Sequence, residues 1–221
     1  MPEIVLEDRA VIPAWVQDHA TFLRWALSGK YPQRGQFAFL GDRVWVDLQM
    51  EAEDHNQLKM VIGAVLVFFI RAQGLGRYFG DRMMLSHPPT GLSTEPDGMF
   101  VSTEARLSGR VVMRGGRPDR GKGLVVEGTP DMVLEVISLS SVRKDTVDLL
   151  DFYWQAGIPE YWLVDPRGDE PRFTLYARTA RGYRAVRPAD GWRRSNVFGA
   201  AFRLVQTTDD LGLPAYTLER R

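Results

Sequence analysis

The chain has 221 residues, and its 28 Lys and Arg balance 28 Asp and Glu, so the formal net charge is zero. This length predicts one or two domains, and 44% hydrophobic with 25% charged residues excludes whole-chain disorder and fibrous structure. The absence of cysteine excludes disulfides, thiolate zinc sites and cysteine nucleophiles.

The first half of the chain predicts helices and short strands separated by glycine-containing turns. In chain order, apolar periodicity and turn residues place a helix over 13–27, strands over 37–40 and 44–48, a helix over 55–73, and strands over 83–85 and 98–101. Gly41 and Asp42 form the expected hairpin turn, and Asp54 is the expected N-cap of the long helix, which Gly74 closes. The longest apolar run, 60–70, has 11 residues, whereas a membrane span needs about 20, so we expect no membrane insertion.

The second half predicts a strand–helix–strand unit followed by β structure. A glycine- and arginine-rich stretch, 108–123, is interpreted as a mobile loop or a hairpin. The elements after it are a buried strand over 132–137, a helix from Ser140 or Ser141 to Ala156, a strand over 161–164, and short β segments over 173–204. We therefore expect a single α/β domain over 1–221, with an N-terminal helical segment, 1–30, and a β-rich C-terminal extension, 167–221.

Two acidic residues are candidates for chemistry because they lie in or beside predicted strands. Glu135 lies inside a buried apolar strand, where a carboxylate is costly unless it is paired or binds a metal. Asp97 precedes the strand over 98–101, although Pro-Asp-Gly is also a common turn sequence. Together the two acids could share Mg²⁺, which prefers oxygen ligands and activates water against a phosphodiester. Asp131 shares a strand face with Glu135 but lies about 13 Å away, too far to bind the same ion.

Cationic side chains that could accompany these acids are few, because only four of the basic residues are lysines. His55 opens the long helix with Lys59 one turn later, so the pair could meet an anion at a helix N-terminus. Alternatively, Glu53, Asp54 and His55 could simply form a capping cluster. Lys144 lies near the start of the helix that ends at Ala156, where it could point at the acids or remain solvated.

With Asp97, Glu135 and the segment PDMVLEVISLSSVRKDTVDLLDFYWQAGIPEYWLVD in place, the chain resembles the Uma-type restriction endonuclease family of the PD-(D/E)XK nuclease superfamily. The resemblance is strongest over 130–166 and weaker over about 37–129. It implies a restriction-endonuclease-like mixed sheet flanked by helices, with the metal site at adjacent strand ends. It further implies that Asp97 and Glu135 hold Mg²⁺ or Mn²⁺, that a lysine orients the attacking water, and that His55 matches a recurrent histidine.

The chain departs from the family pattern at the lysine. Ile137 stands two residues after Glu135, and Leu149 stands four residues before the matching tyrosine, Tyr153. Lys144 is five residues from Leu149, about 140° around an ideal helix, so it replaces the missing lysine only if that helix is distorted or starts later.

Two hypotheses of function follow, and a blander one stays open. The first is a Mg²⁺-dependent DNA endonuclease that uses Asp97, Glu135 and Lys144, with His55 and Lys59 in support. The second is a catalytically weakened nuclease fold that serves as a DNA-binding or protein-interaction module, and the third is a structural homodimer. The net charge of zero hides nine arginines against three acids in 167–203, so DNA remains the expected partner. We also expect a cytoplasmic protein, and family habit suggests a homodimer.

Overall fold

A computed structural model describes residues 12–32, 34–49, 51–117, 121 and 123–221. Positions 118–120 and 122 of the glycine- and arginine-rich stretch lie outside the described residues, as does 1–11 of the N-terminal segment. Among the residues described, no helix is long and apolar enough to cross a membrane.

The three predicted helices differ from those in the structure mainly at their first turns, and the short helix Thr103–Leu107 was not predicted. The observed helices are α1 (His19–Ala26), α2 (Glu53–Ala72), α3 (Thr103–Leu107) and α4 (Leu149–Gln155), with a 3₁₀ turn at Pro88–Thr90 and a π-helical turn at Lys144–Asp148. The helix predicted over 13–27 begins only at His19, because Asp18 caps it by accepting a 2.7 Å hydrogen bond from the Thr21 backbone N–H. The predicted Asp54 cap is wrong: Asp54 lies inside α2, whose N-cap, Ala52, has no side chain that can accept a hydrogen bond.

The described part of the chain also contains fifteen strands. They are β1 (Gln36–Leu40), β2 (Arg43–Asp47), β3 (Gly76–Gly80), β4 (Met84–His87), β5 (Leu92–Thr94), β6 (Gly98–Ser102), β7 (Val111–Arg114), β8 (Val125–Gly128), β9 (Met132–Val136), β10 (Glu160–Asp165), β11 (Arg172–Thr179), β12 (Gly182–Ala185), β13 (Arg193–Arg194), β14 (Ala201–Thr208) and β15 (Pro214–Arg220).

The strands form two six-stranded sheets and one three-stranded sheet. The first has the order β2-β1-β5-β4-β8-β7, the second β12-β11-β10-β9-β6-β3, and the third β13-β14-β15. The predicted hairpin of β1 and β2 turns at Gly41 and Asp42. Strand β7, which lies in the arginine-rich stretch, pairs antiparallel with β8, which follows that stretch. The sequence interpretation missed β3, β5 and β8. Of these, β3 and β5 are short and bounded by glycine or proline turns.

The second sheet contains the predicted strand–helix–strand unit. Strand β9 runs parallel to β10, with the π-helical turn and α4 between them, while β6 runs antiparallel on the other side of β9. All five residues of β9 are buried, which is why its sequence is apolar on both faces. The mixed sheet therefore places β9, which carries Glu135, between β10 and β6, and Asp97 immediately precedes β6.

The apolar core lies on both faces of this second sheet. Val133 and Ile137 project to one face, where they pack with residues of the first sheet and α4. Leu134 and Val136 project to the other face, toward α2 and the third sheet. Because side chains alternate along a strand, Glu135 lies on the same face as Val133, directly below α4.

The β-rich extension is attached to the second sheet through a buried carboxylate. Glu160, which is 1% exposed, accepts hydrogen bonds from the Ser195 hydroxyl (2.7 Å), the Asn196 N–H (2.7 Å), the Val197 N–H (3.1 Å) and the Trp162 indole N–H (3.1 Å). With four donors the carboxylate is fully satisfied, so Glu160 serves the fold.

Candidate active site

Asp97 and Glu135 lie side by side on neighbouring strands of the second sheet. Asp97 immediately precedes β6, and Gly98 at the start of that strand pairs with Leu134 of β9. The next step of the same antiparallel register brings Asp97 opposite Glu135, and Asp97 Oδ2 accepts a 2.7 Å hydrogen bond from the Val136 N–H. The fold thus brings the two predicted acids to one point of the sheet.

Glu135 is a buried carboxylate with a side-chain donor on one oxygen and a cation near the other. Its Oε1 accepts a 2.6 Å hydrogen bond from Tyr153 Oη, and its Oε2 lies 3.9 Å from Lys144 Nζ. Burial raises the pKa of Glu135 well above its usual value, and the charges of Asp145 and Asp97 raise it further against the opposing effect of Lys144. A cation bound beside Glu135 would favour its ionised form and lower this pKa.

Asp97 is also buried, 5% exposed, and lies between the imidazole ring of His55 and the ammonium of Lys59. Its Oδ2 is 3.7 Å from His55 Nε2, and its Oδ1 is 3.6 Å from Lys59 Nζ. Burial raises the pKa of Asp97, and the charges of His55 and Lys59 oppose that rise. The two oxygens of this carboxylate therefore face different neighbours.

The helix that carries Lys144 is distorted in its first turn, which is the condition under which Lys144 could replace the missing lysine. Residues Lys144–Asp148 form a π-helical turn in which the Leu149 N–H donates to the Lys144 carbonyl, five residues back. Residues five apart therefore lie over one another here, whereas an ideal α-helix would separate them by about 140°. With this turn in the helix, Lys144 Nζ lies 3.9 Å from Glu135 Oε2.

Lys144 is held in this position by opposite charge and an aromatic ring. Its ammonium lies 3.1 Å from Asp145 Oδ1 and 4.6 Å from the centroid of the Trp45 ring. Burial alone would lower the pKa of Lys144, but the charges of Glu135, Asp145 and Asp97 outweigh it and raise the pKa. Lys144 therefore stays protonated at neutral pH and presents a fixed positive charge to the acids.

His55 and Lys59 reach the same acids from α2. His55 Nε2 lies 2.6 Å from the Val136 carbonyl oxygen. In the neutral ring this nitrogen therefore carries the hydrogen and donates a hydrogen bond to that oxygen. Lys59 contacts Asp97 and two further acids, Glu51 and Asp81. The interpretation of His55 as part of a capping cluster is wrong, because its ring crosses to β9 instead of bonding to the first turn of its own helix.

A pocket of about 450 Å³ opens in front of these side chains. Its ionisable lining is mostly acidic, with Asp47, Glu51, Asp54, Asp81, Asp97, Glu135 and Asp145 against Arg82, Lys144, Arg167 and the ring of His55. Such a surface attracts cations and repels a bare phosphate. A polyanionic substrate would need a bound cation between itself and the two buried acids.

The donor set fits one oxygen-ligated cation. In the part of the chain that the structure describes, no three His, Asp or Glu side chains converge closely enough to hold an ion by themselves. Asp97 and Glu135 supply two carboxylates. Val136 also lines the pocket: its N–H donates to Asp97 Oδ2, and its carbonyl oxygen lies 2.6 Å from His55 Nε2. Mg²⁺ is usually bound by one or two carboxylates and keeps several waters, so these groups suffice.

The sequence interpretation missed some members of the site and correctly excluded one. Asp145 pairs with Lys144, and Glu51 and Asp81 surround Lys59, although neither Glu51 nor Asp81 lies in a pattern that points to the pocket. The sequence signal for Asp145 is that it directly follows Lys144. Asp131, by contrast, binds Arg110 Nη2 at 2.6 Å and the Ser102 N–H at 2.6 Å, outside the pocket.

Gly98, next to Asp97, allows the closest approach in the site and yields a test of the packing. A Cβ at this position would lie 1.9 Å from Tyr78 Oη, whereas one at its strand partner, Gly80, would meet nothing within 4 Å. We expect Gly98→Ala to lower the free energy of unfolding by about 1–3 kcal/mol in urea denaturation, because the Tyr78 ring has to move. Gly80→Ala is the matched control, and equal losses in the two variants would contradict this packing.

Comparisons with known proteins agree with this architecture. The Uma2 family model, described as "Putative restriction endonuclease", matches residues 20–207. A crystal structure described as "a putative nuclease belonging to DUF820 from Anabaena variabilis ATCC 29413" superposes with a TM-score of 0.59 at 14% identity, covering 82% of this chain and 90% of that one. The match confirms the predicted mixed α/β, restriction-endonuclease-like fold. Among curated proteins no match was found.

Proposed function

We propose that this chain, which belongs to the Uma2 family, is a divalent-cation-dependent endonuclease. Its proposed reaction is the hydrolysis of phosphodiester bonds in DNA. The observation that carries the proposal is the position of Lys144. A family member without a lysine at either usual position still presents a buried ammonium 3.9 Å from Glu135, because a π-helical turn moves it there.

Each proposed residue has a separate task. Asp97, Glu135 and the Val136 carbonyl would hold Mg²⁺ or Mn²⁺, and His55 supports that carbonyl from α2. When bound, the cation would polarise the phosphate and lower the pKa of water. Tyr153 fixes one oxygen of Glu135, so the other oxygen is directed toward the pocket. Lys144 stays protonated, so it would orient the water or stabilise the developing negative charge and would not act as the base.

The competing hypothesis was a weakened nuclease fold that only binds DNA or another protein. This hypothesis would be supported if no lysine lay close to Asp97 and Glu135. Lys144 Nζ lies 3.9 Å from Glu135 and Lys59 Nζ lies 3.6 Å from Asp97, so the geometry supports the catalytic hypothesis. These contacts give no support to the third hypothesis, a purely structural homodimer.

A nicking assay tests the proposal. Supercoiled plasmid incubated with the protein should be converted to open-circular and linear forms in Mg²⁺ or Mn²⁺ and should stay intact in excess EDTA. Re-addition of Mg²⁺ after EDTA should restore cleavage. Plasmid that remains supercoiled across a range of divalent cations, with the protein folded, would contradict an endonuclease function.

A further inference from the structure

One backbone carbonyl of the π-helical turn loses the partner that an α-helix would give it. In an α-helix the Leu149 N–H would donate to the carbonyl four residues back, which is that of Asp145. Here it donates to the carbonyl of Lys144, five residues back. Asp145 is buried, with a side chain that is 1% exposed, so its carbonyl needs another donor in place of the helical one.

Tyr161 supplies that donor from the neighbouring strand, β10. Its hydroxyl donates a buried 2.8 Å hydrogen bond to the Asp145 carbonyl. Burial raises the pKa of Tyr161 well above its usual value, and the charges of Asp145 and Glu135 raise it further, so the hydroxyl keeps its proton. The hydrogen bond that the α-helical alternative would make within the backbone is thus replaced by one from a side chain.

The ring of Tyr161 is held by aromatic neighbours on several sides. It is fully buried, and its centroid lies 5.2 Å from that of Tyr153 and 6.0 Å from those of Tyr176 and Tyr183. Tyr153 is the residue that hydrogen-bonds to Glu135. Tyr161 therefore packs against the ring that orients Glu135 and also bonds to the turn that carries the lysine.

We infer that Tyr161 is a positioning residue: its hydroxyl stabilises the π-helical turn against the α-helical alternative and so keeps Lys144 beside Glu135. The inference rests on the proposed function, because Tyr161 serves the reaction only through Lys144. Without the hydroxyl, the Leu149 N–H and the Asp145 carbonyl would satisfy each other. A turn that relaxes in this way moves Lys144 away from the position it now has over Leu149, because residues five apart are about 140° apart around an α-helix.

Tyr161→Phe removes the hydroxyl and keeps the ring, so it tests this role directly. We expect the rate of Mg²⁺-dependent DNA cleavage at saturating DNA to fall about 10- to 100-fold, the range typical of groups that orient metal ligands. The KM for DNA and the affinity for Mn²⁺ should stay at their wild-type values. Tyr183→Phe is the matched control, because the Tyr183 hydroxyl also donates a 2.8 Å hydrogen bond to a backbone carbonyl, that of Ile158, outside the turn. This control should cleave at the wild-type rate.

Deletion of Val147 should rescue Tyr161→Phe. Val147 lies in the π-helical turn and is 55% exposed, so its removal takes no buried side chain from the core. The deletion places Leu149 four positions after Lys144, so their existing hydrogen bond becomes an α-helical one and the Asp145 carbonyl regains a helical partner. Adding Tyr161→Phe to the deletion should therefore leave the cleavage rate of the deletion variant unchanged.

A second combination tests whether the hydroxyl acts through the lysine. When two residues act through one interaction, the losses caused by their single substitutions do not add. Tyr161→Phe should therefore lower the residual rate of Lys144→Met no further. If Tyr161→Phe lowered the rate by the same factor in the wild type, in Lys144→Met and in the deletion variant, the hydroxyl would act elsewhere and the inference would be overturned.

Two further measurements separate this inference from the proposed function. A crystal structure of Tyr161→Phe decides the inference even if the wild type does not cleave DNA: an α-helical turn with Lys144 moved away from Glu135 supports it, and an unchanged π-helical turn overturns it. If Tyr161→Phe does not fold, thermal melting of the variant that also lacks Val147 decides instead. Recovery of a folded protein supports the inference, and continued failure to fold overturns it. A wild type that does not cleave DNA contradicts the proposed function alone.

Discussion

Glu135→Gln should abolish Mg²⁺-dependent DNA cleavage, lowering the rate by at least about 100-fold. Changes to groups that only orient metal ligands typically cost 10- to 100-fold, and Glu135 is placed here as a ligand. Gln keeps the shape of the side chain, and its carbonyl can still accept the hydrogen bond from Tyr153. The loss should therefore come from the charge, and Mn²⁺ affinity should fall together with the rate.

The same variant should be at least as stable as the wild type without metal at neutral pH. Burial raises the pKa of Glu135, so the folded state binds its proton more tightly than the unfolded state does. Stability then falls as pH rises above the unfolded-state value, and the Gln variant escapes that loss. Its advantage in melting temperature should shrink as the pH is lowered and Glu135 becomes protonated.

Asp131→Asn provides the control for Glu135→Gln. Asp131 is a second acid at the start of the same strand, but it bonds Arg110 and Ser102 outside the pocket. Its variant should cleave DNA at the wild-type rate at temperatures where it is folded. A Glu135→Gln protein that cleaves normally, or an Asp131→Asn protein that loses cleavage while folded, would show that the acids are assigned wrongly.

Lys144→Met should lower the cleavage rate by about 100- to 1,000-fold, the usual cost of removing one preorganised group that stabilises developing charge. Met keeps the unbranched chain that packs near Trp45 and removes the ammonium. Because Lys144 is not a metal ligand, Mn²⁺ should bind no more weakly than in the wild type. Rates under saturating Mg²⁺ and Mn²⁺ titrations measure the two effects separately.

Two comparisons identify what the Lys144 result means. Lys30→Met, at an exposed position away from the pocket, should cleave as the wild type does. If Lys144→Met lost Mn²⁺ binding and cleavage in parallel, Lys144 would be needed to build the site instead of serving the reaction. Unchanged cleavage would mean that another cation takes this role and that the π-helical turn has no catalytic consequence.

Much of the framework could be predicted from local patterns. Strands β9 and β10 could be predicted because a short apolar run bounded by turns is typical of a buried central strand. The hairpin turn at Gly41 and Asp42 was readable from its turn residues. The short strand β3 was not, because Gly76 and Gly80 at its ends weaken any strand signal.

The geometry around the acids depends on features that no periodicity encodes. Ideal helical spacing placed Lys144 about 140° away from the face of Leu149, and only the extra residue of the π-helical turn brings it round. Glu51 and Asp81 meet at Lys59 although they are far apart in the sequence, since the loops that carry them are positioned by tertiary packing. The acids and the candidate cations could therefore be named from the sequence, but the fold determines which of those cations reach the acids.

The most direct test of this account is the position of a bound cation. Crystals of the wild-type protein grown or soaked with Mn²⁺ should show one anomalous peak bonded to Asp97, Glu135 and the Val136 carbonyl oxygen, with Lys144 beside it. A Mn²⁺ peak bonded to other residues, or none at these three groups at a concentration that supports cleavage, would contradict it.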